Sequence, residues 1–341
     1  MQEIRAGVIG LGGFFKGTHL PCMKRVEGLR IVAACARREA SRDAVKPLLG
    51  PDVKYYADHR ELLADPNVNA VYVLTQPEAM PPIVVDVAKA NKPLFCEKTP
   101  GYTAADARMM ADAASAAGII NLVAFNRRFG PFTDRVRQWM AAAGKPTRIE
   151  SYFRRVFTRA PEHIVGNGAH GVDMTISLMG PVRRVMGAHG APRPGQGFCH
   201  FAASFEFVSG AVGVFMYDNR SVGPDEAYNI NVVSPDTLIT EHIQMTCPAI
   251  TRLPGTAKRT RLTYKAWGPS GVEYDKQVED YVRPDLTGDD VSLIGGGFQA
   301  EHDAFVAAVR ANRPAGPTLA ETVHSMEVAE AIQAGVYREF K

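Results

Sequence analysis

The sequence predicts an α/β protein, with a doubly wound parallel sheet over residues 1–124 and an α+β domain with a largely antiparallel sheet over residues 125–341. Three observations carry this. Strand-like and helix-like segments alternate from Ile4 to Phe125 with crossovers too long for hairpins, as parallel neighbours require. The first strand runs into a glycine-rich turn and then a helix. Beyond Gly144-Lys145-Pro146 the texture changes to short runs of alternating polarity.

The elements follow in order. Ile4–Gly10 is an apolar run ending in glycine, and Phe14–Met23 can turn helical. A second strand at Arg30–Ala36 precedes a helix over Ser41–Leu49 and a short strand at Val53–Tyr56. Asp58 and Glu61 suit a capping-box start, and Asp65-Pro66 stops that helix. Ala70–Thr75 is β-branched and apolar, suited to a strand covered on both faces, and Pro81–Ala90 is its crossover helix to Leu94–Cys96. Thr103 and Asp106 cap a helix running to about Ala117, Gly118 takes the left-handed position after it, and Ile119–Phe125 is a further strand. A helix over Pro131–Ala143 leads to strands at Thr147–Phe157, Gly197–Phe207, Ala211–Tyr217, Tyr228–Val233 and Thr237–His242, with Ser209-Gly210 as a hairpin turn. One helix near Gly168–Met179 and two terminal helices, Phe298–Ala311 and Leu319–Ala334, complete the domain, with Gly295-Gly296-Gly297 as a hinge.

Composition narrows the function. With 46% hydrophobic and 22% charged residues the chain is an ordinary globular one, and a net charge of +3 with interspersed signs argues against a nucleic-acid partner. No apolar run approaches the roughly 18 residues of a membrane helix, and the polar start is unlike a signal peptide, so a cytoplasmic location is expected. Cys22, Cys35, Cys96, Cys199 and Cys247 are dispersed without a C-x-x-C pair, which supports neither a disulfide framework nor a zinc ribbon. The scattered histidines give no metal set.

Gly10-Leu11-Gly12-Gly13-Phe14-Phe15 lies where backbone amides at a helix start can bind a pyrophosphate. Gly10 and Gly12 match the G-x-G-x-x-G fingerprint, whereas Phe15 stands where glycine or alanine normally lets helix and strand pack closely. The second strand ends Ala36-Arg37-Arg38, with no acid for the ribose hydroxyls. Ala36 leaves room for a 2′-phosphate and Arg37 can fork onto it, so NADP is favoured over NAD, with Arg38 a weaker second candidate. A solvent-facing basic turn would read the same way.

Phe95-Cys96-Glu97-Lys98-Thr99-Pro100 resembles the E-K-P region of the Gfo/Idh/MocA family, named for glucose-fructose oxidoreductase, inositol dehydrogenase and a rhizopine catabolism protein. His19-Leu20-Pro21, Asn126-Arg127-Arg128-Phe129, Gly168-x-His170-x-x-Asp173 and Phe298-x-x-Glu301-His302-x-x-Phe305 occur in the family's order. The resemblance implies an N-terminal Rossmann domain, a C-terminal domain with an open antiparallel sheet, and redox chemistry on a sugar, polyol or related skeleton. It also implies homodimers or homotetramers through the open sheet. Besides the glycine turn and the 36–38 segment, the expected cofactor contacts are Gly13, Phe14, Thr75, Pro77, Glu97, Lys98 and Arg127. Three departures stand out: Thr99 separates Lys98 from Pro100, Met80 replaces a frequent histidine, and Gly166 stands where dehydrogenases of the family often carry Asp, four residues before His170.

Hydride transfer at a carbinol carbon needs a group to handle the hydroxyl proton. Lys98, at the carboxyl edge of the sheet, and His170, with Asp173 three residues on, are the two candidates. Asp173, Arg127, Arg155 and Tyr217 are candidate substrate contacts, an arginine in the cleft favouring an acidic substituent. Arg154, Arg159, His163, Asp218 and Asn219 lie in the same segments. The expected activity is therefore NADP-preferring oxidation or reduction of a sugar- or polyol-like molecule bound between the domains. The alternatives are a cofactor-binding sensor without turnover, and a lyase or hydrolase-like enzyme that transiently reduces bound cofactor.

Overall fold

The computed structural model describes residues 3–143, 146–154, 164–190, 200–218, 227–233, 242–245, 247–248, 259–267, 273–282 and 289–340. The strands are β1 (Ile4–Ile9), β2 (Leu29–Cys35), β3 (Lys54–Tyr56), β4 (Ala70–Val73), β5 (Leu94–Glu97), β6 (Asn121–Ala124), β7 (Arg148–Arg154), β8 (Val182–His189), β9 (His200–Phe207), β10 (Val212–Asp218), β11 (Ala227–Val233), β12 (His242–Met245), β13 (Cys247–Pro248), β14 (Arg259–Trp267), β15 (Glu273–Val282) and β16 (Tyr337–Glu339). The helices are α1 (Leu20–Met23), α2 (Glu39–Asp43), α3 (Lys46–Leu49), α4 (His59–Ala64), α5 (Met80–Lys89), α6 (Ala104–Ala116), α7 (Pro131–Ala143), α8 (Ala169–Met179), α9 (Asp290–Leu293), α10 (Phe298–Ala311) and α11 (Leu319–Ala334). None of them is long and apolar enough to cross a membrane, among the described residues.

In the first unit β1–β6 form a wholly parallel sheet ordered β3-β2-β1-β4-β5-β6, the doubly wound order. Every residue of β4 is buried, as its unbroken apolar run requires of a strand covered on both faces. Thr103 and Asp106 form the expected reciprocal capping box on α6. At α4 the Asp58 side chain accepts from Arg60 N (2.9 Å). Two helices differ from expectation. The 41–49 segment is broken into α2 and α3, with a proline in the first turn of α3. The first helix begins as a π-helical turn, Phe15–His19, before α1.

Contacts divide the chain into residues 1–129 with 297–324, and residues 130–296 with 325–341, a division unlike the expected single boundary at 124/125. The cause is α10, which places Phe305 and Val306 in the core of the parallel sheet. The Phe305 ring meets Tyr72 edge-on at 5.2 Å and Phe95 at 5.7 Å. Arg310 Nη2 donates to Glu27 O (2.8 Å), and beyond the helix Leu319 N donates to Asn121 Oδ1 (2.7 Å) at β6.

Among the described residues of the second unit, seven strands lie in the order β13-β11-β7-β10-β9-β8-β16, with β7 and β10 parallel and the other pairs antiparallel, and β12, β14 and β15 form a separate antiparallel sheet. Gly210 turns the β9–β10 hairpin with φ +86°. The large sheet supports α8 closely: a Cβ on Gly171 would lie 2.5 Å from the Phe215 ring. On β10, Phe215 and Tyr217 are buried while Val212, Val214 and Met216 are exposed, so this strand is apolar on both faces.

Candidate functional site

The glycine turn lies where the strand order reverses, the place at which open parallel sheets bind ligands. Gly10 N donates to Cys35 O (3.0 Å), and Leu74 N donates to Ile9 O (2.7 Å), which fastens the turn between β2 and β4. Gly10 has φ +103°, and a Cβ there would sit 2.5 Å from Leu74 O, so glycine is demanded by both conformation and space. Around Gly12 and Gly13 the reverse holds: a Cβ on either would meet nothing within 4 Å. Open space over a helix start is what an approaching diphosphate needs. Phe15 turns its side chain into the core, 1% exposed, so only its backbone is left for a ligand. Phe14 is half-exposed and edge-on to His19 (5.1 Å) and Phe298 (5.8 Å).

After β2, Ala36 is half-buried and Arg37 and Arg38 are exposed. Arg42, which sequence reasoning missed, donates through Nη1 to Ala36 O (2.6 Å) and Arg37 O (3.1 Å) and holds this turn in shape. Its signal in the sequence is an arginine in the short helix that follows the strand. Burial, with a smaller push from Asp58, raises the neighbouring Cys35 thiol to about 11. After β4, the Thr75 hydroxyl is buried without a hydrogen-bond partner, and Pro77 is half-buried. An orphaned hydroxyl at the carboxyl edge beside the open glycine turn fits a site built to take a polar ligand. Met80 is fully buried at the start of α5.

Glu97 ends β5 buried, and Lys98 follows half-buried. Thr99, the residue inserted before Pro100, is accommodated in the interior at 1% exposure. The loop is clamped at its far end, where Asp106 Oδ2 accepts from Tyr102 N (3.2 Å) and Thr103 N (3.1 Å). His19 Nε2 lies 2.8 Å from Glu97 Oε1, and His19 Nδ1 lies 3.0 Å from His302 Nε2. In the sequence these segments are marks of the family resemblance, and nothing in their spacing shows that they meet. His19, Glu301 and His302 also bring metal-ligating atoms within 4.8 Å of one another, a grouping their sequence spacing did not suggest. Arg127 and Arg128 lie half-buried in the turn Asn126–Phe129.

In the second unit His170 is buried in the first turn of α8, and Asp173, 1% exposed, accepts from Ser325 Oγ (3.1 Å). A Cβ on Gly166 would meet nothing within 4 Å, so this position has room for a side chain. Tyr217 is buried and stacks with Phe153 (5.6 Å) and Phe201 (6.1 Å), because strand alternation puts it on the face under α8. Arg155, Arg159, His163 and Asn219 lie outside the described residues, as do the side chains of Arg154 and Asp218.

A six-stranded doubly wound sheet with an open glycine turn at its switch point defines a nucleotide-binding Rossmann domain. Residues 4–125 match the GFO_IDH_MocA model, described as an oxidoreductase family with an NAD-binding Rossmann fold. The chain is 33% identical over 192 residues to a myo-inositol 2-dehydrogenase of Thermotoga maritima, covering 54% of this chain and 55% of that one. It is 36% identical over 129 residues to an inositol 2-dehydrogenase of Agrobacterium fabrum, covering 38% of each. The matches span about half or less of these curated relatives. The fold is shared with an Agrobacterium radiobacter oxidoreductase solved with NAD+, L-tartaric acid and magnesium (TM-score 0.81, 18% identity, 99% and 98% coverage). It is also shared with a levoglucosan dehydrogenase solved with NADH and L-sorbose (TM-score 0.77, 18% identity, full coverage of both). Over residues 4–125 the chain is thus similar to the Rossmann domain of the Gfo/Idh/MocA oxidoreductases.

Proposed function

We propose that this protein is a cytoplasmic nicotinamide-dependent dehydrogenase that oxidises or reduces a CH–OH carbon of a sugar, polyol or related acidic substrate, with NADP preferred over NAD. The observation that carries the reading is the open Gly10–Gly13 turn at the switch point of a sheet whose fifth strand delivers Lys98 at the same edge. The matched family model and the names of the relatives support it. The dinucleotide, when bound, supplies the hydride acceptor or donor. The backbone at Gly12 and Gly13 takes the diphosphate, Thr75 Oγ and Pro77 line its path, and Arg37 takes the 2′-phosphate while Arg42 keeps its turn in shape.

Lys98 Nζ holds the reacting hydroxyl and, in its neutral form, takes the proton as the carbon loses hydride. In the reverse direction it returns the proton to the forming alkoxide. His170 is the second proton-handling group, and Asp173, Arg127, Arg155 and Tyr217 are the proposed substrate contacts. The apolar row Val212, Val214 and Met216 on the exposed sheet face supports association of identical chains as dimers or tetramers.

The test mixes purified protein with NADP+ and polyols or aldonic acids, or NADPH and carbonyl sugars, and follows reduced-nicotinamide absorbance. Lys98→Met should lower kcat by about 10²–10⁴-fold while the dinucleotide still binds. Unchanged turnover in that variant overturns the role of Lys98. Equal affinity for NADP+ and NAD+ overturns the cofactor preference, and an NADP+ preference that survives Arg37→Ala overturns the role given to Arg37.

A further inference from the structure

Inside the first unit, three segments far apart in sequence meet in one buried polar chain: Glu97 on β5, His19 before α1 and His302 on α10. His19 and His302 are both fully buried, and Glu97 is 7% exposed. We infer that His302 is a positioning residue that acts through His19 to hold the Glu97 carboxylate at the root of Lys98. The inference rests on the proposed role of Lys98 and deepens it.

The inferred chain takes the Glu97 carboxylate as the acceptor and both rings as neutral, which fixes every hydrogen-bond direction in it. At 2.8 Å from Glu97 Oε1, His19 Nε2 must therefore carry a proton. In a neutral ring His19 Nδ1 is then an acceptor, so His302 Nε2, 3.0 Å away, must donate. That leaves His302 Nδ1 without a proton, and it has no hydrogen-bond partner. Phe95 stacks on the His302 ring at 4.8 Å and 9°, with Tyr72 at 5.6 Å, which fixes the ring plane.

The groups that face this chain are uncharged. Burial holds His302 neutral, pushing it well below the usual histidine range, with the His19 ring adding to the effect. Burial likewise holds the Glu301 carboxyl well above its ordinary range, helped by Glu97, and both its oxygens are unpartnered. The Tyr72 hydroxyl and the Cys96 thiol are raised by burial. Asp303 is exposed at the outer side of α10, and Lys98 is the cation that follows Glu97 in the chain. Among the described residues the side-chain group that meets Glu97 Oε1 is His19 Nε2. If the His302 donor is removed, the His19 proton can move to Nδ1 and turn a bare Nε2 lone pair toward Glu97. The carboxylate then loses its hydrogen bond to His19, and with it the tie that holds the end of β5 from which Lys98 departs.

The test uses the full chain with 15N-labelled histidine rings and δ-13C-labelled glutamate, the Glu97 signal being assigned by Glu97→Gln. The wild type should show His19 and His302 as Nε2–H tautomers, with Glu97 accepting from His19. In His302→Leu the His19 signals should leave that tautomer and the Glu97 δ-13C signal should shift. His302→Gln, which keeps an N–H donor, should restore both. In the same variants the kcat–pH profile should shift in His302→Leu and return in His302→Gln, with dinucleotide KM retained. Unchanged His19 and Glu97 signals in folded His302→Leu overturn the inference. So does a pH profile that stays in place while only melting temperature falls, or stoichiometric zinc uptake that removes the ring-proton signals. Wild-type spectra as expected without any dinucleotide turnover would overturn the dehydrogenase reading and the role given to Lys98, but leave the tautomer chain standing.

Discussion

Gly10 and Gly12 stand two residues apart, yet alanine should act on them through different physics. At Gly10 the backbone has φ +103°, which costs a side-chain-bearing residue about 1–3 kcal/mol, and the new methyl would lie 2.5 Å from Leu74 O. Relief requires separating the turn from the end of β4, so Gly10→Ala should lower the unfolding free energy by roughly 2–4 kcal/mol. At Gly12 a methyl meets nothing within 4 Å. There alanine should leave stability unchanged or raise it by about 0.4–1 kcal/mol by restricting the unfolded chain. It would, however, stand in the space through which a diphosphate approaches. Loss of one charge-assisted amide bond, about 1.5–3 kcal/mol, corresponds to a dinucleotide Kd weaker by about 10–100-fold at 1.4 kcal/mol per decade. Urea unfolding and fluorescence titration with NADPH on both variants separate the effects. A Gly12→Ala protein that binds as tightly as wild type refutes the placement of the diphosphate over this turn.

Phe305→Ala, although 180 residues beyond the parallel sheet, should destabilise the first unit by about 3–5 kcal/mol, read by chemical unfolding with a dinucleotide-binding probe. Gly166→Asp enters open space and should fold with an unchanged melting temperature while raising kcat by supplying an acid near the start of α8; lower turnover would show the glycine to be required. Asp65 is held below the usual carboxylate range, chiefly by the Asn67 amide and also by Tyr56 and Lys54, against a burial effect that pushes the other way. Its contribution to stability is therefore present above the unfolded-chain value and lost as pH falls through the depressed folded value. Asp65→Asn should flatten the acid side of the stability–pH curve, measured by urea midpoints from neutral to acidic pH.

Local physics was legible in the sequence. The Thr103–Asp106 box, the left-handed Gly118 and the Ser209-Gly210 hairpin depend on residues within four positions of one another, and each stands where its chemistry requires. Strands β14 and β15 escaped the alternation reading because only Leu262, Tyr264 and Ala266 mark the apolar side of β14, set among charged and hydroxyl residues. The wide first turn was hidden for another reason. A bulky Phe15 contradicts the tight packing of the fingerprint unless the helix starts as a π turn, and nothing local announces that. The site was read in part: the glycine turn and the strand ends were found, but the grip of Arg42 on carbonyls and the meeting of His19, Glu97 and His302 come from tertiary packing.

The placement of α10 bears on how this protein is made. Phe305 and Val306 complete the hydrophobic interior of a sheet whose six strands have all been synthesised by residue 124. A ribosome must therefore extrude about 180 further residues while Tyr72 and Phe95 wait for their covering ring. During that interval the nascent nucleotide-binding half should be a client for chaperones rather than a finished module. Severing the chain after the glycine hinge would leave it permanently in that state.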